Sequence, residues 1–490
     1  MAKAHPFFLF LFFLSFIQVP TLQAETEFNP QVAAAYSEIF KLKIDSGRRI
    51  IQQQLAQNPT NLAAILVANY PDFLQLIITQ DANKYITSIK AQEKRFEQIK
   101  KSEEKTPYKM FAQAEIKIQI ALCQFFFDDE LKAAWNIRQA FLLLQENQRL
   151  YPNFYPNQKS LGLLHFVIGS IPESYNWLLS LLGMNANVKT GINFITKAAE
   201  TNQPFQQEAK LLYHFINDML HQNDDQSVIF FQQLATQHPD NLLFSFVALG
   251  VLQKNKKCDE ALTLFQKRPA GKEYLAIDYM HHMAADMYLF KGNYFQSIQE
   301  NQYFIKNYQG KHYLKDSHYK MYLAATLLND SHASRYVASI LKVGTDFVEE
   351  DQIALKYAKN PDNINLTLLK ARLHADGGYY KEAESVLKNF DASRATNNKD
   401  KIEYFYRLGR TFQGLKKYPE AKENFLKTIT LTGNLPFYFA PNAALQLGYM
   451  AMENKNINEA RYYFKKTLSY KEHPYKRSLD SKAKVALAAL

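Results

Sequence analysis

Apolar and polar positions recur along most of the chain with the period of an α-helix rather than that of a β-strand. In the C-terminal part, a small residue is followed four positions later by an aromatic or long apolar one, and this step returns at intervals of 34, 36, 38 and 39 residues. The step is present at Ser227/Phe231, Ala261/Phe265, Ala383/Leu387, Ala421/Phe425 and Ala460/Phe464, and Ser297/Asn301 keeps only its small residue. One interval of 86 residues spans two units, with a degenerate unit near Ala324–Ala325 and Val337/Leu341. A period of this length predicts a stack of similar supersecondary units.

The clearest unit predicts two helices joined by a short turn. Residues 405–412 have the pattern of a first helix, and the chain turns over residues 414–418. Pro419 and Glu420 then open a second helix, because proline fits the first helical position and a carboxylate is favoured at the positive end of the helix dipole. The sequence therefore predicts an antiparallel helix pair as the repeating unit.

Small residues in this unit stand where its two helices are expected to cross. Gly409 and Ala421 leave room for a close crossing, which Phe412 and Phe425 fill. The Leu-Gly pair that ends in Gly409, the Tyr-x-x-Ala step that ends in Ala421 and the following Phe425 resemble the tetratricopeptide repeat (TPR). The resemblance implies an all-α fold, a right-handed superhelical solenoid of antiparallel helix pairs, with about seven tetratricopeptide-like repeats over residues 206–474.

The last residues, 475–490, read as a C-terminal capping helix. Their apolar residues fall on one helical face, and Lys482 and Lys484 fall on the other. We expect this helix to cover the exposed core of the last repeat. The alternative is an amphipathic helix at a membrane surface, which would carry bulkier apolar residues.

Residues 25–205 predict a less regular α-helical domain. Within it, residues 161–184 are largely apolar, and we interpret them as a buried helical hairpin that turns at residues 169–172. The alternative, a membrane span, would place Glu173 in lipid without a partner. Residues 161–191, with Gly162, Pro172 and Gly191, weakly resemble the eukaryotic inclusion-clearance tetratricopeptide family of the mitochondrial outer membrane. That resemblance implies only a shared helical hairpin.

The first 24 residues have the three parts of a secretory signal peptide. Lys3 and His5 precede an apolar run over residues 7–19, and a small residue, Ala24, stands at the expected cleavage point. The alternative is an uncleaved anchor, but the run is shorter than the roughly 20 residues of a membrane span. No cysteine stands at the junction, so a lipoprotein anchor is not expected. The sequence predicts an exported, soluble protein, periplasmic or extracellular, without a transmembrane segment after cleavage.

Composition and charge narrow the class of protein further. With 47% hydrophobic residues and only 16 Gly and 17 Pro, the chain is neither disordered nor typical of an all-β fold. The net charge of +11 is spread along the chain, so nucleic acid is not an expected partner. The positive charge leaves three other partners open: an acidic protein, a glycan, or a membrane surface with which the protein associates peripherally. Cys123 and Cys258 are expected to be buried thiols, although a disulfide between them stays open.

No recognised catalytic motif is present. The sequence lacks Gly-x-Ser-x-Gly, His-Glu-x-x-His and a phosphate-binding loop, and it has no CxxC pair. His281 and His282 are adjacent on a predicted helix and point about 100° apart, so they do not readily share a metal ion. We therefore expect no catalytic, cofactor or metal residues and a non-enzymatic protein. An enzyme with an unrecognised site remains an alternative.

The predicted function is the binding of a protein or peptide in the concave groove of the solenoid. First helices of successive repeats line that groove, and their outward side chains form one surface. Tyrosine and arginine, which are enriched among binding hot spots, recur on this face. The candidate groove residues are Tyr279, His282, Asp286, Arg372, Tyr406, Arg410 and Tyr449. The alternative function is the binding of a small ligand or glycan at the cell envelope.

Overall fold

The computed structural model describes residues 27–170, 183–220, 225–361, 363–392, 395 and 397–490, and within them the chain forms α-helices and no β-strand. The predicted signal peptide lies outside the described residues, as does the predicted hairpin beyond Ser170 up to residue 182. The predicted all-α fold is confirmed.

The N-terminal helices are α1 Pro30–Phe40, α2 Ile44–Gln57, α3 Leu62–Val67, α4 Tyr70–Thr79, α5 Ala82–Lys101, α6 Pro107–Phe126, α7 Glu130–Leu150, α8 Tyr155–Gly169 and α9 Val188–Glu200. Local sequence sets several of their starts. At α1, for example, Asn29 Oδ1 accepts hydrogen bonds from the backbone N–H groups of Gln31 and Val32, at 3.1 and 3.0 Å.

The remaining helices are α10 Gln206–Leu220, α11 Asp225–Gln237, α12 Leu242–Lys254, α13 Cys258–Lys267, α14 Tyr279–Lys291, α15 Tyr294–Asn307, α16 Leu314–Leu327, α17 Ser334–Ile340, α18 Glu349–Lys359, α19 Leu366–Gly377, α20 Tyr380–Lys388, α21 Asn398–Gly414, α22 Tyr418–Thr432, α23 Phe439–Glu453, α24 Ile457–Ser469 and α25 Lys476–Ala489. Consecutive helices pack in pairs, such as α21 with α22 and α23 with α24, and each pair packs on the next. This is the predicted solenoid of helix pairs.

The repeating step of small and apolar residues lies in the core, as predicted. Ala421 and Phe425 on α22 are both fully buried. A Cβ atom added to Gly409 on α21 would lie 2.6 Å from Phe425 Cδ1, so only glycine allows this crossing. The degenerate unit differs from the prediction: Leu341 is 53% exposed because α17 ends at Ile340, which takes the buried position.

Two glycines join α8 to α9. A Cβ atom on Gly162 would lie 2.8 Å from the Gly191 carbonyl oxygen, and one on Gly191 would lie 2.6 Å from that of Gly162. The two helices therefore cross at backbone contact, which only glycine permits. The first arm of the predicted apolar hairpin, up to Gly169, is helical. The resemblance of residues 161–191 to a mitochondrial family stays a prediction.

A buried ion network ties the N-terminal helices to the repeats. Lys159 on α8 bonds Glu115 on α6 at 3.3 Å and also bonds Glu208 on α10, whose other oxygen accepts a hydrogen bond from Tyr36. Ser160 donates to Glu115. Burial alone would lower the pKa of Lys159, but Glu115 and Glu208 together raise it above its ordinary value. The network keeps a charged lysine in the core.

The core crosses the domain boundary predicted near residue 205. The largest hydrophobic cluster extends from Val32 to Met287, and the backbone N–H of Leu275 donates to the Leu42 carbonyl at 2.8 Å. Residues 62–79 are apolar and long enough to span a membrane, but they contain α3 and α4 and are mostly buried inside the protein. These contacts place the N-terminal helices against the repeats.

The C-terminal helix α25 does more than cover the last repeat. Its residues Leu479, Ala483 and Ala486 pack on α23 and α24, as a capping helix would. Val485, on another face, joins a cluster with residues of α8, α9 and α10, including Leu212. Because α25 contacts both ends of the repeat array, the solenoid closes on itself.

Seven helices, most of them first helices of repeats, therefore form a closed ring. Around it, α12 packs on α14, α14 on α19, α19 on α21, α21 on α23 and α23 on α25. Helix α25 packs on α10, and Lys254 at the end of α12 bonds the Asp218 carbonyl of α10 at 2.7 Å, which completes the circuit. We call the side of these helices that faces the centre the inner face.

Candidate ligand-binding inner face

Three of the predicted groove residues are buried instead of exposed. His282 and Tyr449 are each 2% exposed and Tyr406 is 3% exposed, so the prediction that they line an open groove is wrong. The Tyr406 ring packs 5.4 Å from that of Phe439, and the Tyr449 ring packs 5.3 Å from that of Phe464. The physical reason is that the side chains of His282, Tyr406 and Tyr449 turn toward the second helix of their own pair, which carries Phe304, Phe425 and Phe464, respectively.

Tyr279 and Asp286 on α14 are half-buried and already have partners. The Asp286 carboxylate lies 2.6 Å from Lys320 Nζ on α16, so its charge is neutralised. The ring of Tyr279 packs 4.9 Å from that of Tyr313, and burial raises the pKa of its hydroxyl well above the ordinary value. Neither side chain is free to anchor a partner.

A serine, a histidine and an aspartate line up next to this pair. Ser317 Oγ lies 3.0 Å from His282 Nδ1, and His282 Nε2 lies 3.3 Å from Asp316 Oδ2. Such an alignment can activate a nucleophile, but a nucleophile must meet its substrate. The exposed fraction is 0% for Ser317 and 4% for Asp316, so this arrangement is a buried polar network. It ties α14 to α16.

Two of the predicted residues do remain available. Arg372 on α19 and Arg410 on α21 are half-buried, and neither side chain has a hydrogen-bond or ion-pair partner in the part of the chain that the structure describes. The nearby Arg407 differs, because it bonds Glu403 at 2.7 Å. Asp376, one helical turn beyond Arg372, lies within electrostatic range of both free guanidinium groups. Arg372 and Arg410 therefore face the same region.

Two lysines join Arg372 and Arg410 on this face. Lys256 follows α12, and its Nζ donates to the Asp376 carbonyl at 2.8 Å and lies 4.0 Å from the Asp376 carboxylate. Lys482 on α25 was placed on the solvent side of a capping helix, but it faces the inside of the ring and has no partner among the described residues. We call Lys256, Arg372, Arg410 and Lys482 the inner cations.

The lysines reach the inner face because of local backbone geometry and ring closure. Lys256 has a φ of 62°, and the Lys256 carbonyl approaches Gly378 so closely that a Cβ atom there would lie 2.0 Å away. Gly378, with a φ of 88°, ends α19 in a left-handed conformation that glycine adopts freely. This contact fixes the turn after α12 against the end of α19. The sequence signal for it was the Gly377-Gly378 pair.

The charges of the inner cations act on one another. Loss of hydration, together with repulsion from Lys254, Arg410 and Lys256, lowers the pKa of Lys482 to about 8, against an opposing effect of Glu349. Loss of hydration and repulsion from Glu350 raise the pKa of Glu349 to about 7. Lys482 is nevertheless exposed to solvent. The inner face is therefore a solvated surface in which positive charges are crowded together.

Within the described ranges, this face has no metal site and no reactive thiol. Among the described residues, no group of three or more His, Cys, Asp or Glu side chains is placed to hold a metal ion. Cys123 and Cys258 are free and buried, as the sequence predicted, and burial raises the pKa of each thiol to about 12. Of the two tryptophans, Trp135 is exposed on α7 beside Arg138, away from the inner face, and Trp177 lies outside the described residues.

Comparison with known proteins gives no relative by sequence: no protein-family model matches the chain, and no curated protein matches it. Among solved structures, it is similar to the apo form of the quorum sensor NprR from B. thuringiensis, with 14% identity and a TM-score of 0.32 over 84% of this chain and 99% of that one. It is also similar to a chain of the APC/C hetero-tetramer Cut9-Hcn1, with 12% identity and a TM-score of 0.27 over 94% and 97% of the two chains. At these TM-scores the likeness carries no inference about this protein, whose fold is described by its own helix packing.

Proposed function

We propose that this chain is an exported, non-enzymatic helical-repeat protein that binds a protein or peptide partner on its inner face. The observation that carries the proposal is the pair of free guanidinium groups, Arg372 and Arg410, on adjacent first helices. An arginine without an acidic partner in a half-buried setting is available for an incoming acceptor. Arginine is also among the residues that most often anchor interfaces.

A binding role is favoured over catalysis by what lies around these arginines. The serine–histidine–aspartate alignment is buried and does not meet a substrate, whereas Arg372, Arg410 and Lys482 reach solvent. A protein or peptide is favoured over nucleic acid because the sequence contains no arginine-rich run.

Export is supported by the N-terminal sequence alone. The apolar run over residues 7–19 and the small residue Ala24 are the features that signal peptidase recognises. Expression with its native N-terminus in a secreting host, followed by N-terminal sequencing of the exported protein, tests this. We expect a first residue near Glu25, and a mature protein that still begins with Met1 would contradict export with cleavage.

Selection of binders from a random peptide library tests the binding role. Selected peptides are titrated by fluorescence anisotropy against the native protein, Arg410→Gln and a matched control, Arg461→Gln. Arg461 is exposed on α24, the second helix of its pair, and has no partner within the described ranges. We expect the Arg410→Gln change alone to weaken binding. If no peptide is selected, or if both changes act equally, the proposed site is wrong.

A further inference from the structure

We propose that the inner face binds an acidic peptide segment whose carboxylates pair with Arg372, Arg410 and Lys482. This inference rests on the proposed function and names the chemistry of its partner. It brings the C-terminal helix α25 into the binding site, although the sequence assigned that helix only a capping role.

Charge complementarity is the first reason. Two carboxylates among the described residues act on the inner cations: Asp376, which lies 4.0 Å from Lys256 Nζ, and Glu349. They are fewer than the four inner cations. Other acids nearby are already paired: Asp218 bonds Lys254, and Glu403 bonds Arg407. Loss of hydration and repulsion from Arg410 disfavour the charged forms of Lys256 and Lys482 and lower their pKa values. Carboxylates from a partner relieve that repulsion.

The spread of the cations is the second reason. Arg372, Arg410 and Lys482 belong to α19, α21 and α25, which are different helices of the ring. Packed helices are separated by about 8–10 Å, so these cations extend from separate points around the inner face. Alternate residues of an extended peptide are about 7 Å apart, which suits carboxylates repeated along a chain.

The titration of Lys482 is consistent with an unfilled anion site. Its pKa is lowered because it has lost hydration and faces other cations without gaining an ion-pair partner. A carboxylate placed beside it would reverse this shift. The pKa of Lys482 therefore provides a readout of ligand binding that does not depend on a substitution.

The experiment uses a fluorescent, acetylated and amidated peptide of alternating Glu and Ala, and its Gln counterpart. Anisotropy titrations at about 50 mM and about 500 mM salt compare the full exported protein with Arg410→Gln and Lys482→Gln. The matched controls are Arg461→Gln and Lys465→Gln, two exposed cations on α24 without partners in the described part of the chain. We expect the Glu peptide to bind at least about tenfold more tightly than the Gln peptide, and each inner change to weaken binding about tenfold. High salt should weaken binding, and the control changes should not.

A second measurement uses the native sequence. Reductive ¹³C-methylation of lysines keeps their charge, and NMR titration then reports the pKa of Lys482, which should rise by about one unit on addition of the Glu peptide. Equal binding of both peptides, an equal effect of the α24 changes, or tight binding of pyrophosphate without the Glu peptide would overturn the inference. Neutral library peptides that depend on Arg410 would overturn the acidic chemistry while leaving the proposed function standing.

Discussion

If α25 closes the ring, a substitution in α25 should affect helix α10 at the other end of the repeat array, which it would not do in an open solenoid. Val485 is 2% exposed and packs with residues of α8, α9 and α10, including Leu212 and Ile216. Val485→Ala removes two methyl groups, worth about 1.6 kcal/mol of burial, and a small cavity adds to this. We expect the contact between α25 and α10 to be weakened by about 2 kcal/mol in total.

Hydrogen–deuterium exchange with mass spectrometry locates the effect. In an open repeat array a terminal substitution acts on its neighbours only, so it would loosen α25, α24 and α23. In the closed ring, Val485→Ala should also speed exchange in α10, at the far end of the repeat array. A loss of about 2 kcal/mol corresponds to roughly 30-fold faster exchange in α25, with a smaller increase in α10 because other helices still cover it.

The matched control is Leu479→Ala on the opposite face of the same helix. Leu479 is 3% exposed and belongs to the cluster with α23 and α24. This change should loosen α25 together with α23 and α24 and should affect α10 less than Val485→Ala does. If exchange in α10 stays the same in Val485→Ala while α25 loosens, the closed ring is refuted.

Three further predictions concern stability. Ala421→Trp should overpack the fully buried crossing of α21 and α22 and lower the free energy of unfolding by about 1–3 kcal/mol or more; an unchanged melting temperature would mean that the repeat register is wrong. Lys159→Met should lower it by about 3–5 kcal/mol in urea denaturation, because Glu115 and Glu208 lose the cation they share, and a loss below about 1 kcal/mol would contradict a charged network. Lys482 titrates near pH 8 when folded and near about 10.4 when unfolded, so the unfolded chain binds more protons between these values and stability should rise with pH there. The charges that act on this lysine are those of Lys254, Lys256, Arg410 and Glu349. If the urea midpoint of Lys482→Met rises with pH as steeply as that of the native protein, Lys482 is not the group responsible.

Several site predictions failed for one physical reason. When a helix is buried on several sides, its sequence pattern does not reveal which face meets the other helix of its pair and which face meets solvent. Tyr406 and Tyr449 face the second helix of their own pair, where they pack near Phe425 and Phe464, and neighbouring ring helices and α25 complete their burial. Arg372 and Arg410 stayed accessible because a guanidinium group loses more hydration on burial than a tyrosine ring does.

The sequence by itself determined the repeating unit. Helical periodicity, the small residues Gly409 and Ala421 and the aromatic residue Phe425 specify a helix pair whose crossing admits no larger side chain, and these are local constraints that a single stretch of chain contains.

Only the tertiary structure decided that the array closes and which charges face its centre. Val485 meets α10, and Lys256 meets Asp376, across long stretches of chain. Small rotations between successive repeats add up over the whole array, so closure depends on their sum and not on any one unit. Lys482 has the pattern of a solvated surface lysine in the sequence, and it became an inner cation because ring closure brought other positive charges toward it.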